Sequence, residues 1–331
     1  MDSLKKISTV IVTLYSIVTL MELLMGCKLG YVQINKSFQT KTKEIKGIEQ
    51  KVEVIHTNVS VKGEINATDI SNLISESIDK KANEYKINNE KKASNYSRIE
   101  VPFEVINQDH LMVVLTFGQS QAANYGETKY ASRENVYNYY DGKFYTAVDP
   151  LLGTTGNRGS VWTRLGDKII QQGLYDNVLF VPIAVGASSI DDWLPGGDFY
   201  DKIITSFDEL KENYNLEFTH MFWHQGSADS WLHAQENAEE YKADFMQIVE
   251  GIRSHGINAP IYVCVSTYSY GNSDPFIQQA QKDLVNPECG IYAGPDSDSI
   301  SSIYNFDGVH LNNKGLDKLA DGWLHSIVSH P

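Results

Sequence analysis

The sequence predicts an α/β fold in which a mostly parallel β-sheet lies between two layers of helices. Two observations lead to this prediction. Short apolar runs rich in β-branched residues recur in the later part of the 331-residue chain, and segments with helical spacing of apolar residues separate them. Strands that alternate with helices form βαβ units, which build three-layer α/β/α sandwiches. We assign this domain to residues 106–331 and expect an N-terminal anchor and a spacer before it.

Four apolar runs are the candidate strands, and each is short enough to be buried on both faces of a sheet. They lie at residues 111–117, 178–185, 218–223 and 260–266. Five further segments have apolar residues spaced three and four apart, as in helices with one buried face. These segments are residues 160–171, 201–214, 234–253, 274–284 and 312–328.

Residues 1–27 are interpreted as a signal or membrane-anchor segment. Lys5 and Lys6 precede an apolar stretch of about 20 residues, interrupted only by Glu22, and a positive flank of this kind is typical of such segments. The length favours an uncleaved anchor. A cleaved signal peptide, a lipoprotein cleavage box at residues 24–27 and a buried soluble helix are the alternatives. We therefore expect an extracytoplasmic protein that is anchored in or to the membrane, or secreted if the segment is cleaved.

Residues 28–105 are interpreted as a polar, partly helical spacer with too little apolar material for a core. Two patterns compete in its first half. Helical spacing of apolar residues indicates a short coiled coil capable of weak self-association, whereas alternating valines indicate a strand. The first pattern comprises Ile45, Ile48, Val52, Ile55 and Val59, and the second comprises Val52, Val54, Val59 and Val61. A helix is predicted over residues 68–82.

Charge and cysteine content exclude several classes of function. Residues 99–331 carry 13 Lys and Arg against 31 Asp and Glu, so this part would repel phosphate backbones and no nucleic-acid partner is expected. Three scattered cysteines, Cys27, Cys264 and Cys289, are too few for a disulfide framework or a cysteine-based zinc site. A Cys264–Cys289 bridge and two buried free thiols are both compatible with their positions. No metal or other cofactor is expected.

Polar residues follow the candidate strands, and in parallel α/β sheets ligands bind at the carboxyl ends of the strands. Among them, Ser120 follows the first strand, and His310 precedes the last helix. A serine hydroxyl needs an imidazole to accept its proton, which makes Ser120 a candidate nucleophile and His310 its base. Asp307, three residues earlier, can orient the imidazole. The alternatives are a turn-forming role for Ser120 and a helix-capping role for Asp307.

Several motifs resemble those of the SGNH hydrolase superfamily, and within it the sialate O-acetylesterase-like carbohydrate acetyl esterases. They are FGQSQAANYGE at residues 117–127, DPLLG at 149–153, GSVW at 159–162, WHQG at 223–226, GPD at 294–296 and DGVH at 307–310. The resemblance covers roughly residues 110–328 and depends on the order and spacing of the motifs. It implies an SGNH, flavodoxin-like fold and a Ser120–His310–Asp307 catalytic triad.

The resemblance also implies an oxyanion hole, formed by the backbone amides of Ser120 and Gly186 and the side-chain amide of Gln225. Such donors stabilise the negative oxygen of a tetrahedral intermediate. Four polar residues are candidates for substrate binding: Gln119, Asn124, Ser188 and His224. Three tryptophans are interpreted as core residues, or one of them as a sugar platform: Trp193, Trp223 and Trp231. The loop of residues 149–160 is expected near Ser120.

Two residues depart from the family pattern. Ser227 stands where the family usually has Glu, and Gln121 stands where it usually has Asn after the nucleophile. The change at residue 227 removes a carboxylate that would assist the histidine or a substrate hydroxyl, although Asp229 follows two residues later. The departure therefore leaves room for a narrowed or altered activity.

The sequence thus predicts a serine carbohydrate esterase that removes O-acetyl groups from a glycan or glycoside through an acetyl-serine intermediate. An O-acetyltransferase acting on an envelope polysaccharide and a catalytically silent carbohydrate-binding protein are the alternatives. Motifs do not separate hydrolysis from transfer, because the choice of acceptor depends on water exclusion and on the shape of the site. In each case the expected partner is an acetylated carbohydrate.

Overall fold

The computed structural model describes residues 31–45, 48–62, 98–230, 235–300 and 302–330, which belong to two units. The first is an antiparallel hairpin of β1 (Tyr31–Ile45) and β2 (Ile48–Lys62). The coiled-coil interpretation is therefore wrong and the strand alternative is confirmed, since alternating β-branched residues suit an extended backbone. The predicted anchor and the helix predicted over 68–82 lie outside the described residues. Within the described ranges, no helix has the length and hydropathy that a membrane crossing requires.

The second unit contains an eight-stranded sheet and five α-helices among the described residues. Its strands are β3 (Glu100–Val101), β4 (Leu111–Gly118), β5 (Val136–Tyr140), β6 (Lys143–Thr146), β7 (Asn177–Pro182), β8 (His220–His224), β9 (Ile261–Val265) and β10 (Ile291–Asp296). Its helices are α1 (Trp162–Gln171), α2 (Asp198–Tyr214), α3 (Gln235–Ser254), α4 (Pro275–Asp283) and α5 (Asn313–Ser329). The spatial order of the strands is β10-β9-β8-β4-β7-β5-β6-β3. All neighbours from β10 to β5 are parallel, whereas β6 and β3 pair antiparallel at one edge.

The four predicted strands and five predicted helices are confirmed, each within a few residues. Four strands, β3, β5, β6 and β10, were not predicted from the sequence. The sheet begins before residue 106, where the domain was predicted to start, because Glu100–Val101 pairs with β6 and the Thr146 N–H donates to the Ile99 carbonyl. A two-residue edge strand carries no periodicity from which it can be predicted.

The core consists of two layers, one on each face of the sheet. Every residue of β4 is buried, as expected for a strand covered by helices on both faces. Leu115 and Phe117 belong to the layer that also contains buried residues of α2, α3 and α4. Met112 and Val114 belong to the layer built with α1 and α5. The alternation of side chains along β4 therefore holds helices on both faces and fixes the position of the residues that follow this strand.

The structure shows which of the predicted tryptophan and cysteine residues belong to this core. Trp193 and Trp223 are fully buried with their rings 5.7 Å apart, so they are core residues and neither is a sugar platform. Trp231 lies outside the described residues. Cys264 and Cys289 are both free, so the disulfide interpretation is wrong, and Cys289 is exposed where burial was the alternative.

A buried carboxylate on α1 holds the segment between β4 and β5. Asp167 accepts hydrogen bonds from the Tyr130 hydroxyl (2.8 Å) and the Ser132 hydroxyl. It also accepts from the backbone N–H groups of Arg133 (3.1 Å) and Glu134 (3.2 Å). Asp167 is only 2% exposed, so loss of its carboxylate would leave several donors without a partner.

We predict that Asp167→Ala lowers the free energy of unfolding by about 2–3 kcal/mol, because desolvated donors without acceptors are costly. Urea denaturation of the purified protein would measure the change. The matched control is Asp321→Ala on α5, whose side chain is 63% exposed and pairs with Lys168 at 2.7 Å. Exposed pairs contribute at most about 1 kcal/mol. Equal losses in the two variants would contradict the prediction.

Candidate active site

A serine, a histidine and an aspartate form one continuous chain of hydrogen bonds. Ser120 Oγ lies 3.0 Å from His310 Nε2, and His310 Nδ1 lies 2.7 Å from Asp307 Oδ2. Ser120 begins the short 3-10 turn Ser120–Ala122 directly after β4, and the other two residues precede α5. The structure therefore brings together the three residues that the sequence predicted as a triad, at the carboxyl end of the central strands.

The turn that presents Ser120 depends on a glycine. Gly118 has a φ of +121°, and a Cβ on it would overlap the backbone carbonyl of His224 on β8. The next residue, Gln119, donates its backbone N–H to that same carbonyl at 3.1 Å. Only glycine combines this backbone conformation with such a close approach. The chain therefore leaves the sheet sharply and presents the serine above the end of β4.

Asp307 is held by a local turn and not by the last helix. Its Oδ1 accepts the backbone N–H groups of Val309 (3.0 Å) and His310 (2.7 Å). Burial alone would raise the pKa of Asp307, but the hydrogen bonds and the charge of His310 outweigh it and lower the pKa. The N-cap of α5 is Asn312, which accepts the Gly315 N–H at 3.0 Å. The helix-capping interpretation of Asp307 is therefore wrong.

Neighbouring side chains fix the imidazole of His310. The Tyr125 ring stacks on it at a centroid distance of 5.2 Å and an interplanar angle of 24°. Gln121, at the position where the family usually has Asn, donates from Nε2 to the Val309 carbonyl at 2.6 Å. Gln121 thereby ties the turn of Ser120 to the loop of His310. This departure from the family pattern reinforces the contact between the two halves of the site.

The predicted oxyanion-hole donors differ in the hydrogen-bond acceptors that they have in this structure. The Ser120 N–H lies at the start of a 3-10 turn, where backbone N–H groups have no acceptor within the helix. The Gly186 N–H donates to the Thr155 hydroxyl at 2.7 Å. A Cβ at Gly186 would lie 2.5 Å from the Tyr125 hydroxyl oxygen, so the close packing of this loop requires a glycine. Thr155 and Tyr125 are contacts of the site that the sequence analysis did not identify.

Gln225, the third predicted donor, is fully buried and both N–H groups of its amide point to protein acceptors. Nε2 donates to the Ser188 carbonyl at 3.1 Å and to Asp229 Oδ2. Its Oε1 has no hydrogen-bond partner within the described residues. Asp229 also accepts the Ile190 N–H at 3.0 Å. In this arrangement Gln225 connects the loops after β7 and β8.

Gln119 binds neighbouring loops instead of facing solvent. Its Oε1 accepts the backbone N–H groups of Gly226 (2.9 Å) and Ala228 (3.1 Å), and its Nε2 donates to the Ser227 hydroxyl. Gln119 and Ser227 are both buried. Both ends of the Gln119 amide are therefore occupied by the loop after β8, and its role as a substrate contact stays a prediction. Ser227 takes part in this bracing of the nucleophile turn.

The other three candidates for substrate binding are completely buried. Both ends of the Asn124 amide bind the backbone of Leu151, at 2.8 and 2.9 Å. The Ser188 hydroxyl donates to the Val185 carbonyl and accepts from Trp193 Nε1. Burial lowers the pKa of His224 to about 3, so its imidazole is neutral. These three residues therefore lie below the surface of the site, and their role as substrate contacts stays a prediction.

The loop of residues 149–160 lies beside the nucleophile turn, as predicted. The Asn124 N–H donates to the Thr155 carbonyl at 3.0 Å, and the Arg158 N–H donates to the Asn124 carbonyl at 2.9 Å. The exposed guanidinium of Arg158 lies 4.9 Å from the centre of the Phe306 ring, next to the His310 loop. Within the residues that the structure describes, no cluster of three His, Cys, Asp or Glu side chains is arranged to hold a metal ion.

The domain that carries this site is similar to known proteins in sequence and in structure. A family model described as carbohydrate esterase, sialic acid-specific acetylesterase, matches residues 112–328. No protein of curated function matches the chain significantly in sequence. Among solved structures, a protein from Arabidopsis thaliana is similar with a TM-score of 0.57 and 17% identity, over 67% of this chain and 98% of that chain. At this identity the likeness shows a shared fold.

Two solved esterases are more distant in structure. An acetyl xylan esterase from Geobacillus stearothermophilus has a TM-score of 0.43 and 13% identity, over 65% of this chain and 94% of its own. A psychrotrophic esterase from Pseudoalteromonas sp. has a TM-score of 0.40 and 12% identity, over 67% of this chain and 98% of its own.

Asp229 makes stability depend on pH. Burial raises its pKa to about 7, and the nearby carboxylates of Asp191 and Asp192 also raise it. The hydrogen bonds from Ile190 and Gln225 lower the pKa but do not outweigh the burial. In the unfolded chain an aspartate ionises near pH 4, so between about pH 4 and 7 the folded state retains a proton that the unfolded state has lost. The contribution of Asp229 to the free energy of unfolding therefore decreases as the pH rises from about 4 to about 7.

We predict that the free energy of unfolding decreases less between pH 5 and pH 7 for Asp229→Asn than for the wild type. The difference should be about 2–3 kcal/mol, because each pH unit in the window corresponds to about 1.4 kcal/mol. Urea unfolding at half-unit pH steps would measure it. Asp149, whose pKa burial also raises to about 7, is unchanged in both proteins and cancels in the comparison. Parallel curves for the two proteins would contradict the prediction.

Proposed function

This chain belongs to the carbohydrate esterase family described as sialic acid-specific acetylesterases, and we propose that it removes O-acetyl groups from a glycan or glycoside through an acetyl-Ser120 intermediate. Membership makes it a carboxylic ester hydrolase that acts on acetylated carbohydrates. The observation that carries the serine mechanism is the chain of hydrogen bonds from Ser120 through His310 to Asp307. Its distances suit proton transfer without a rearrangement of the site.

In the first half of the proposed reaction, Ser120 Oγ attacks the carbonyl carbon of the acetyl ester while His310 Nε2 accepts the hydroxyl proton. The carboxylate of Asp307 stabilises the imidazolium that forms and keeps Nδ1 protonated. Collapse of the tetrahedral intermediate breaks the bond to the sugar oxygen. His310 returns its proton to that oxygen, so the deacetylated sugar leaves as an alcohol and the acetyl group stays on Ser120.

In the second half, water attacks the acetyl-serine. His310 Nε2 accepts a proton from the water as the second tetrahedral intermediate forms, and it then protonates Ser120 Oγ as acetate leaves. The enzyme is restored and one water molecule is consumed in each cycle. The same base serves both halves because its position beside Ser120 Oγ is fixed by Asp307 and by the Tyr125 ring.

The oxyanion of each intermediate needs hydrogen-bond donors, and we assign the Ser120 N–H as the first of them. The Gly186 N–H can share its hydrogen between the Thr155 hydroxyl and the oxyanion, since bifurcated hydrogen bonds are common in proteins. Gln225 contributes only if its amide turns away from Asp229 or Ser188. Each donor of this kind typically contributes about 10²- to 10³-fold to the rate.

We propose an extracytoplasmic location on the basis of Lys5, Lys6 and the apolar stretch that follows them. The full-length protein is expected in the membrane fraction after alkaline carbonate extraction, whereas a chain that begins at residue 28 is expected in the soluble fraction. Recovery of both proteins in the soluble fraction, with the full chain intact, would refute the anchor.

We predict that Asp307→Asn lowers kcat by about 10²- to 10⁴-fold, because an amide cannot stabilise the imidazolium and can bind the wrong tautomer of His310. Acetate release from a panel of O-acetylated sugars would measure the change. Asp321→Asn, a matched substitution of an exposed aspartate on α5, should leave kcat unchanged. A decrease of only a few-fold in Asp307→Asn would argue against the triad.

We predict that Ser120→Ala abolishes acetate release, since the acetyl group then has no oxygen to which it can be transferred. Mass spectrometry of the wild type during turnover should show a covalent acetyl adduct on the peptide that contains Ser120. Turnover in Ser120→Ala comparable to the wild type would refute the serine mechanism. Acetylated acceptor sugar in place of free acetate would indicate transfer instead of hydrolysis.

A further inference from the structure

An exposed tyrosine stands beside the turn that carries Asp307. Tyr270 follows β9 at the carboxyl end of the sheet, and 62% of its surface is exposed, whereas most large aromatic residues of this domain are buried. Its φ is +47°, in the left-handed region that residues with a bulky side chain rarely adopt. Strained residues of this kind cluster at functional sites and are retained where the surroundings determine them.

Tyr270 is attached directly to the loop of the candidate triad. Its backbone N–H donates to the Gly308 carbonyl at 2.9 Å. A Cβ on Gly308, whose φ is +93°, would lie 2.8 Å from the Tyr270 ring. The ring therefore rests against the α-carbon of the residue that follows Asp307, and a larger residue at 308 would push it away. Tyr270 is thus placed one residue from the acid of the triad.

The loop that bears Tyr270 is fixed at both sides. Ser269 and Asn272 exchange backbone hydrogen bonds of 2.9 and 3.0 Å, which close a tight turn around the tyrosine. At its base, the Asp298 carboxylate accepts the backbone N–H groups of Thr267 and Tyr268, both at 2.9 Å. A residue on such a braced loop loses little conformational freedom when it binds a ligand.

We propose that the exposed ring of Tyr270 is a carbohydrate-binding platform, which stacks on the apolar face of a sugar ring and places a neighbouring acetyl ester at Ser120. This inference depends on the proposed function and names a binding residue for it. A pyranose presents C–H groups on its faces and hydroxyl groups at its edge, so a tyrosine ring matches a sugar face and its hydroxyl can bind the edge.

The turn alone does not require an aromatic side chain at Tyr270. The tight turn requires a residue that tolerates a positive φ, and Gly or Asn would fulfil that requirement without strain. The aromatic ring adds nothing to the buried core, because it lies outside both buried clusters.

The test compares a sugar ester with an ester that has no ring. The substrates are chemically O-acetylated tetrasaccharides of xylose, glucose and mannose, and ethyl acetate. Tyr270→Gly and Tyr270→Asn both remove the ring and both tolerate the positive φ. A change that both variants show is therefore due to loss of the ring and not to misfolding of one variant. The quantity measured is the ratio of kcat/KM on the best tetrasaccharide to kcat/KM on ethyl acetate.

We expect both ringless variants to lower this ratio about 5- to 20-fold, mainly through a higher KM on the tetrasaccharide, which is the effect of losing one aromatic contact. Tyr270→Phe keeps the ring and should retain the ratio within about two-fold. Phe276→Ala is the matched control, since it removes another exposed aromatic ring, on the first turn of α4, and should not change the ratio.

An unchanged ratio in the ringless variants would overturn the platform, and so would a wild type that does not prefer any tetrasaccharide to ethyl acetate. An equal loss in Tyr270→Phe would also overturn it, because the ring would then not be the cause. These outcomes leave the serine mechanism intact as long as Ser120→Ala abolishes the hydrolysis of ethyl acetate. Hydrolysis that persists in Ser120→Ala would instead refute the proposed function.

Discussion

The hydrogen bond between Ser120 and His310 joins residues that are 190 positions apart in the chain. One partner stands on the turn after the central strand β4, and the other stands just before α5. Their separation is therefore set by the packing of α5 on the sheet, where Trp323 stacks on Phe222 of β8 at a centroid distance of 4.8 Å. The two rings are fully buried. The geometry of the site is thus maintained by the core on one face of the sheet.

Beneath this contact lies a layer of buried polar side chains, and their hydrogen bonds hold the neighbouring loops together. Gln119 binds the loop after β8 through Gly226, Ala228 and Ser227, and Gln225 joins that loop to the loop after β7 through the Ser188 carbonyl. Where the family usually has a glutamate, the small Ser227 hydroxyl completes the bonds of Gln119. The carboxyl group that remains, Asp229, is half-buried and bound to Gln225, so it acts on the loops and not on the histidine. The floor of the site is consequently rigid and nearly uncharged below neutral pH.

Periodicity and motif order predicted much of this arrangement. The runs that became β4, β7, β8 and β9 are buried on both faces, so they read as continuous apolar segments, and the motif after each one had to lie at the same edge. Orientation within a motif was not predictable in this way. Gln119 and Ser120 are consecutive, yet one side chain points into the loops and the other toward His310, because a single glycine at 118 redirects the backbone. The same limit applies to Asn124, Ser188 and His224, because their motifs do not show that these side chains are buried.

The position of Asp307 explains why its partnership with His310 was visible in the sequence. The Asp307 side chain is 38% exposed and that of His310 is 12% exposed, so the aspartate does not owe its orientation to burial. It is oriented by a turn of its own making, in which the carboxylate accepts two backbone N–H groups and the imidazole within three residues. Those three hydrogen bonds favour the ionised form and hold the charge in place where solvent would otherwise screen it. Because the turn is local, the spacing Asp-x-x-His is sufficient to encode the pair, whereas the serine needs the whole fold to reach them.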